Sequence, residues 1–292
     1  MASELRPLGL GELLDRTFFL YRNHFLLFVG ILALPNLILL AFQLAGVALH
    51  PGRIATFPLT TFIWSIATAI VGLGVAAAAQ GGTVIAVSHV HLGRSTSISE
   101  AFAGMKGRII YLALLLIGTW FLIALIFGIP TLIGFAFRGF WVAVFAIPGI
   151  VAAIYFVLNW ALTVPVAVLE DTSFFESLRR SSDLVKGSRG RVFVIYFLFL
   201  VLFYAVVMAW EFPILFFLGT ATQHHRNIET MLLWTRVAIP VCTFLTSILV
   251  GPLMTIGLSL LYYDLRVRKE AFDIQHMMAT LDGSDHPVPS PI

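Results

Sequence analysis

Long apolar runs alternate along this chain with short stretches in which apolar and polar residues recur at helical spacing. The apolar runs lie near 25–49, 57–88, 109–129, 140–169, 192–220 and 231–263 and are rich in Leu, Ile, Phe and Ala. A hydrocarbon core about 30 Å thick takes about 20 such residues in one helix. The runs lack the strict alternation of barrel strands, so the pattern predicts an all-α integral membrane protein with six transmembrane helices. From Ile109 to Leu169 the only charge is Arg138. That stretch is too long for one crossing at about 1.5 Å per residue. A hairpin is expected between Pro130 and Gly139, because proline disfavours a continued helix and Arg138 needs an interface. Pro35 is expected to kink the first span in mid-membrane.

The short polar stretches form a series. Gly9-Leu10-Gly11-Glu12, Ser97-Ile98-Ser99-Glu100 and Ser173-Phe174-Phe175-Glu176 each precede a pair of apolar runs. The two Ser-x-x-Glu sequences read as capping boxes, while Gly9 is a weaker cap. An apolar stripe follows each cap: Leu10, Leu13, Leu14, Phe18 and Tyr21; Ile98, Ala101, Phe102 and Met105; Phe174, Phe175, Leu178 and Val185. Basic residues lie off these stripes, as expected of helices lying in the membrane surface. Gly107-Arg108 precedes Pro130 by the same interval as Gly190-Arg191 precedes Pro213. The expected architecture is therefore three parallel repeats of interfacial amphipathic helix plus transmembrane hairpin, near 8–90, 97–169 and 173–264, about a pseudo-threefold axis. They form one domain over 1–283, with the start of a fourth amphipathic stretch at Glu270-Ala271-Phe272 and a disordered tail over 284–292.

Composition agrees. The chain of 292 residues is 59% hydrophobic and 11% charged, against about 25% charged in soluble domains. The single cysteine, Cys242, excludes an intrachain disulfide and a cysteine metal cluster. Glu4, Glu12, Asp15 and Arg16 before the first run do not read as a signal peptide. The basic residues are unevenly spread. Arg6, Arg16, Arg22, Arg94, Lys106, Arg108, Arg179, Arg180, Lys186, Arg189, Arg191, Arg266, Arg268 and Lys269 fall on one side of the six-span topology. Arg53, Arg138, Arg226 and Arg236 fall on the other. The positive-inside rule places both termini in the cytoplasm.

Candidate chemistry is sparse. Arg16, Arg22, Lys106, Arg108, Arg179, Arg180, Lys186, Arg189 and Arg191 are candidates for contact with anionic headgroups or a partner, each worth about 1 kcal/mol near an anionic leaflet. Asn36, Gln80 and Asn159, with Gln43, lie inside apolar runs, where amides serve first as interhelical hydrogen-bonding groups and second as the lining of a path. Glu211 is the one carboxylate deep in a run. It reads as a solvated interfacial group about 30 Å along its helix from Arg191, or else as a functional intramembrane acid. His89 with His91, and His224 with His225, lack the i, i+3 or i, i+4 spacing of helical metal sites, so no metal is expected. Gly72-Leu73-Gly74 and Gly81-Gly82 mark a face for close helix approach. Nucleotide, nucleophile-elbow and zinc-protease motifs are absent, no cofactor is implied, and no aromatic-basic module for nucleic acid is present.

Three stretches carry a family resemblance. They are Leu8-Gly9-Leu10-Gly11-Glu12-Leu13-Leu14-Asp15-Arg16-Thr17-Phe18 with Leu20-Tyr21-Arg22, then Phe175-Glu176-Ser177-Leu178-Arg179-Arg180-Ser181 with Leu184-Val185-Lys186-Gly187, and Leu261-Tyr262-Tyr263-Asp264-Leu265-Arg266-Val267-Arg268-Lys269-Glu270. Together they resemble the bacterial glycerophosphoryl diester phosphodiesterase membrane-domain family. In some relatives such a region precedes a catalytic barrel of about 250 residues of alternating strands and helices. Nothing in these residues reads as that barrel, so the resemblance implies a membrane module and carries over no catalytic residue. The expected function is that of a non-enzymatic scaffold or accessory subunit of the bacterial cytoplasmic membrane. It would contact anionic lipids and a membrane or cytoplasmic protein partner. The alternative is a small transporter or lipid-handling permease with helices broken at Pro35, Pro148, Pro165, Pro240 and Pro252.

Overall fold

The computed structural model describes residues 8–49, 58–137, 140–223 and 228–270. Arg6, Arg53, Arg138, Arg226, His224, His225, the stretch 271–283 and the tail 284–292 lie outside the described residues. The described chain is helical: α1 (Leu10–Asn23), α2 (Phe25–Leu49), α3 (Pro58–His91), α4 (Ile98–Ala103), α5 (Ile109–Phe137), α6 (Trp141–Asn159), α7 (Thr163–Leu169), α8 (Phe174–Val185), α9 (Arg189–Gln223) and α10 (Ile228–Glu270). No strand occurs among the described residues. Six stretches are long and apolar enough to cross a membrane: α2, most of α3, α5, α6 with α7, most of α9, and most of α10. At about 1.5 Å per residue, the 43 residues of α10 run about 65 Å and reach well past a hydrocarbon core.

Pro130 behaves differently from its sequence reading. Pro130 does not end its helix: α5 continues through it to Phe137, and the turn into α6 lies beyond. Helix also runs through Pro35, Pro148, Pro213, Pro240 and Pro252. Each loses only one backbone bond, which membrane helices tolerate when neighbours and local groups compensate. The break falls instead at Trp160–Leu162, between α6 and α7, with Pro165 in the first turn of α7. A first-turn proline forfeits an N–H that has no intrahelical acceptor anyway. The run 140–169 is thus two helices rather than one.

The three short helices α1, α4 and α8 start in a common way. The N–H of Gly9 donates to Glu12 at 2.8 Å, that of Ser97 to Glu100 at 2.9 Å, and that of Ser173 to Glu176 at 3.4 Å. The Ser97 hydroxyl accepts from the Glu100 N–H, completing its box, whereas the Ser173 hydroxyl donates to the Glu176 carboxylate. The buried faces depart from the expected stripes at two aromatics. In α1 the buried residues are Leu13, Thr17 and Leu20, and Phe18 is exposed. In α8 they are Ser177, Leu178, Ser181, Leu184 and Val185, and Phe175 is 77% exposed. Each helix turns small or hydroxylated residues to its neighbours, which brings backbones close, and leaves the bulky ring outside.

The expected tie through Gly190 also shifts. The left-handed glycines after α4 and α8 are Gly107 and Gly187, with φ +83° and +84°. Gly190 sits inside α9. Lys106-Gly107 and Lys186-Gly187 are therefore the matching turns, each after a fully buried residue, Met105 or Val185. A positive φ is what glycine alone adopts without strain.

Burial divides the molecule. The basal end, which carries Leu8 and Glu270, gathers α1, α4, α7, α8 and the adjoining halves of the long helices around one core that includes Leu13, Phe28, Ile31, Val87, Leu162, Val185, Ile195, Ile256 and Tyr262. A second cluster joins α3, α5 and α7 through Val84, Met105, Leu112, Leu115 and Ala167. In the distal halves (α2 from Asn36, α3 to Gly74, α5 from Ile117, α6 to Tyr155, α9 from Leu200, α10 to Leu249) the buried residues among those described are Gly46, Gly134, Gly149 and Thr246. Two of the hairpins make close contacts within themselves there. Phe42 of α2 stacks on Trp64 of α3 at 4.5 Å between centroids. Gly134 of α5 faces the backbone of Trp141 and Val142, and Gly149 of α6 faces that of Phe127. Three hairpins (α2–α3, α5–α6, α9–α10) thus stand on a shared base.

Candidate functional site

The base is held by charge as well as by apolar packing. Glu170 caps the C-terminus of α7, Arg180 lies on α8, and Tyr262, Arg266 and Glu270 follow one face of α10. Arg180 Nε donates to Glu170 at 2.8 Å and its Nη1 pairs with Glu270 at 2.5 Å. Arg266 Nε donates to Glu270 at 3.1 Å and its Nη1 donates to the Tyr262 hydroxyl at 3.1 Å. The Tyr262 hydroxyl donates to Glu170 at 2.8 Å, which closes the ring of contacts. The Glu270 carboxylate first, and Glu170 after it, hold Arg180 above its ordinary range despite the opposing cost of burial. Two carboxylates and two guanidiniums in alternation leave the cluster neutral, which is how charged groups remain in a half-buried site.

A second cluster joins the two ends of the described chain. Asp264 is wholly buried at its side chain. It accepts from the Leu8 N–H at 2.7 Å, from Arg191 Nη1 at 2.6 Å and from Arg268 Nε at 3.0 Å. Both arginines also donate to the Leu8 carbonyl, each at 2.6 Å. The backbone leading into α1 is thus clamped by α9 and α10. Lys269 reinforces this corner by donating to the carbonyls of Asp183 and Lys186 at the end of α8, groups that a helix terminus leaves open.

A third cluster fills the break between α6 and α7. The Ser181 hydroxyl donates to the Asn159 carbonyl at 2.8 Å and accepts from the Leu162 N–H at 3.1 Å. Asn159, buried, donates to the Tyr155 carbonyl and accepts from Arg189 Nε at 2.9 Å. Arg189 Nη2 donates to the Tyr155 hydroxyl at 3.1 Å, and its guanidinium lies 4.7 Å from that ring's centroid. Arg108, at the entry to α5, pairs with Asp171 at 2.8 Å and donates to the Val168 carbonyl. Tyr21 of α1 donates to the Leu249 carbonyl at 2.7 Å, and burial pushes its hydroxyl pKa up.

Of the nine basic residues proposed from sequence, Arg108, Arg180, Arg189 and Arg191 are engaged inside the protein by these contacts. Arg22, Lys106, Arg179 and Lys186 have exposed side chains at the base. Arg16 is half-buried and close enough to His91 to act on it electrostatically. No hydrogen bond links any two of Asn36, Gln80, Asn159 and Glu211. Asn36 donates to the Leu32 carbonyl of its own helix at 2.8 Å. Gln80 is half-buried on α3. Glu211 lies about 33 Å along α9 from Arg189, in the distal half, with Cys242 of α10 in its electrostatic reach. His89 meets the Thr96 hydroxyl at 3.2 Å, and His91 packs against the ring of Tyr263. The described residues hold no group of three His, Cys, Asp or Glu placed to bind a metal.

Sequence reasoning passed over Glu170, Asp264, Tyr262, Arg266, Arg268 and Glu270 as site residues. The local signal was present: Asp264 with Arg268, and Arg266 with Glu270, are i, i+4 pairs. Their distant partners, Arg180 and Arg191, carry no such signal. No curated protein and no solved structure matches this chain. The model of one family, the membrane domain of glycerophosphoryl diester phosphodiesterase, matches residues 127–280. That match runs from the α5–α6 hairpin through both charge clusters, and the chain belongs to this membrane-domain family.

Proposed function

We propose that the protein is a non-enzymatic scaffold or accessory subunit of the bacterial cytoplasmic membrane. Its base faces the cytoplasm, where the Lys/Arg excess would put it. The observation that carries this reading is the paired charge of the base. Glu170, Arg180, Arg266 and Glu270, with Asp264, Arg191 and Arg268, neutralise one another and fix α1, α8 and α10 to one another. The exposed Arg22, Lys106, Arg179 and Lys186 then decorate a preorganised surface. Such a surface suits a protein partner and anionic headgroups, because a rigid face loses little entropy on binding. We read the three hairpins as parallel repeats. The glutamate that closes on each helix cap and the Lys-Gly turns after α4 and α8 support that reading.

Purification from native membranes in mild detergent, with mass spectrometry of what is retained, tests the reading. A stoichiometric protein partner, lost on Arg179→Glu with Lys186→Glu, is expected. Transport or conversion of a substrate by the pure protein in liposomes would contradict it. The alternative, a lipid-handling permease, draws on the break at Trp160–Leu162 and the thinly packed distal halves. It requires uptake into proteoliposomes that Asn159 and Gln80 substitutions abolish. Reagent access to Lys186→Cys from the cytoplasm and to Phe140→Cys from outside is the expected orientation.

A further inference from the structure

Arg189 differs from the other arginines that anchor the base. Arg108, Arg180, Arg191, Arg266 and Arg268 each pair with a carboxylate. Arg189 has no carboxylate partner among the described residues; its contacts are the neutral Asn159 amide and Tyr155 hydroxyl. It opens the apolar stretch of α9 and is half-buried, so its charge stands at the membrane interface beside hydrocarbon. A guanidinium there is stable when an anion completes it.

The surroundings supply room for the rest of such a molecule. The hydrogen bonds joining α6 to α9 come from Arg189, at the basal end of both helices. One to three turns farther along, the faces in line with these contacts are apolar and open. On α6 these are Val151 (62% exposed) and Pro148, in line with Tyr155. On α9 they are Phe193, Phe197 (57% exposed) and Leu200, in line with Arg189.

We propose that the open faces of α6 and α9 flank an apolar cleft above Arg189 that holds one anionic phospholipid of the surrounding leaflet, its phosphodiester on Arg189 and its acyl chains between the two helices. The proposal deepens the lipid-contact part of the scaffold reading and rests on it. A phosphate accepts from the guanidinium N–H groups that Asn159 and Tyr155 leave open, and a charge-assisted contact of this kind is among the stronger polar ones. Lipid chains cover Val151, Phe193 and Phe197 at no cost in polar desolvation.

The test uses the full chain in nanodiscs of phosphatidylglycerol and phosphatidylcholine in equal parts, with native mass spectrometry of retained lipid. The intact protein keeps one phosphatidylglycerol in preference to phosphatidylcholine. Arg189→Gln lowers that preference about tenfold, the weight of one charge-assisted hydrogen bond. Arg189→Lys retains part of it, and Arg94→Gln, on the exposed turn after α3, leaves it unchanged. Val151→Trp fills the cleft and expels the lipid with Arg189 intact, so the result does not hang on the folding of one variant. Equal lipid preference in Arg189→Gln and the intact protein would overturn the proposal. So would a dimer mass that Val151→Trp dissolves, which would assign the cleft to a second copy. The scaffold reading is read out separately, by partner capture: loss of lipid with the partner retained upholds both. A retained partner with lipid preference unchanged in Arg189→Gln sinks the lipid site alone.

Discussion

The basal and distal halves of the same helices are built on different rules. The base resembles the interior of a soluble protein, with a continuous apolar core and charges that neutralise one another at 2.5–3.1 Å. In the distal half the α2–α3 and α5–α6 hairpins close on themselves through glycine and aromatic contacts, and apolar side chains otherwise turn outward. The difference follows from the surroundings. Lipid tails are as apolar as leucine, so burial between distal helices gains little, and close backbone packing is what remains. At the base water competes for polar groups, and apolar burial regains its driving force of about 25 cal/mol per Å².

Substitutions separate these rules, and the largest effect is expected at Asp264. Asp264→Ala strips the buried partner from Arg191, Arg268 and the Leu8 N–H. It should destabilise the fold by about 3 kcal/mol, the low end for a broken buried pair because Arg268 is 38% open to solvent. Proteolysis at α1 should accelerate in step, as measured in detergent alongside denaturant unfolding. An intact α1 in that variant would show that apolar packing alone holds it.

Glu170→Gln is the next strongest. It removes a charge from the ring with Arg180 and Tyr262 but leaves Glu270 in place, so about 2 kcal/mol is expected from unfolding curves. The double-mutant cycle with Arg180→Gln should show coupling, since the two side chains touch. Additive losses would mean that the ring does not act as a unit.

In the distal half Gly134→Leu should matter and Ile147→Ala should not. A Cβ on Gly134 would lie 2.9 Å from the Val142 Cα and 3.0 Å from the Trp141 carbonyl, and backbone cannot step aside as a flexible side chain can. Overpacking of this kind costs about 1–3 kcal/mol, confined to the α5–α6 hairpin and visible as faster cysteine labelling near residue 134. Ile147 is 60% exposed within the protein, and its truncation should fall within about 0.5 kcal/mol. A larger loss at Ile147 than at Gly134 would reverse the picture of the distal half.

The two halves were also unequally legible in the sequence. Six spans and the three capped helices α1, α4 and α8 follow from local pattern, because hydrophobic length and cap chemistry act within a few residues. The break at Trp160–Leu162 had no such signature. It is stabilised by Ser181, twenty residues on, whose hydroxyl serves both open backbone groups. Pro130 misled for the converse reason, since a single lost bond does not end a helix that its hairpin partner supports. The basic residues were read by sign alone, which orients the chain but omits the carboxylates they meet. Arg180 finds Glu270 from ninety positions away, and only the fold brings them together. Phe18 and Phe175 fit the helical spacing of an apolar face, yet close packing selected the hydroxyl residues Thr17 and Ser177 instead.

The most direct test is a set of distances between spin labels on different hairpins in nanodiscs. Labels at the base, on Asn23, Ala103 and Lys186, should give narrow distributions, and labels at Leu49, Trp141 and Leu233 in the distal half should give broad ones. Disrupting the clamp with Asp264→Ala should broaden the Asn23 distances and leave the distal ones as they were. Distal distributions as narrow as the basal ones would contradict the account, because the hairpins would then be locked together along their whole length.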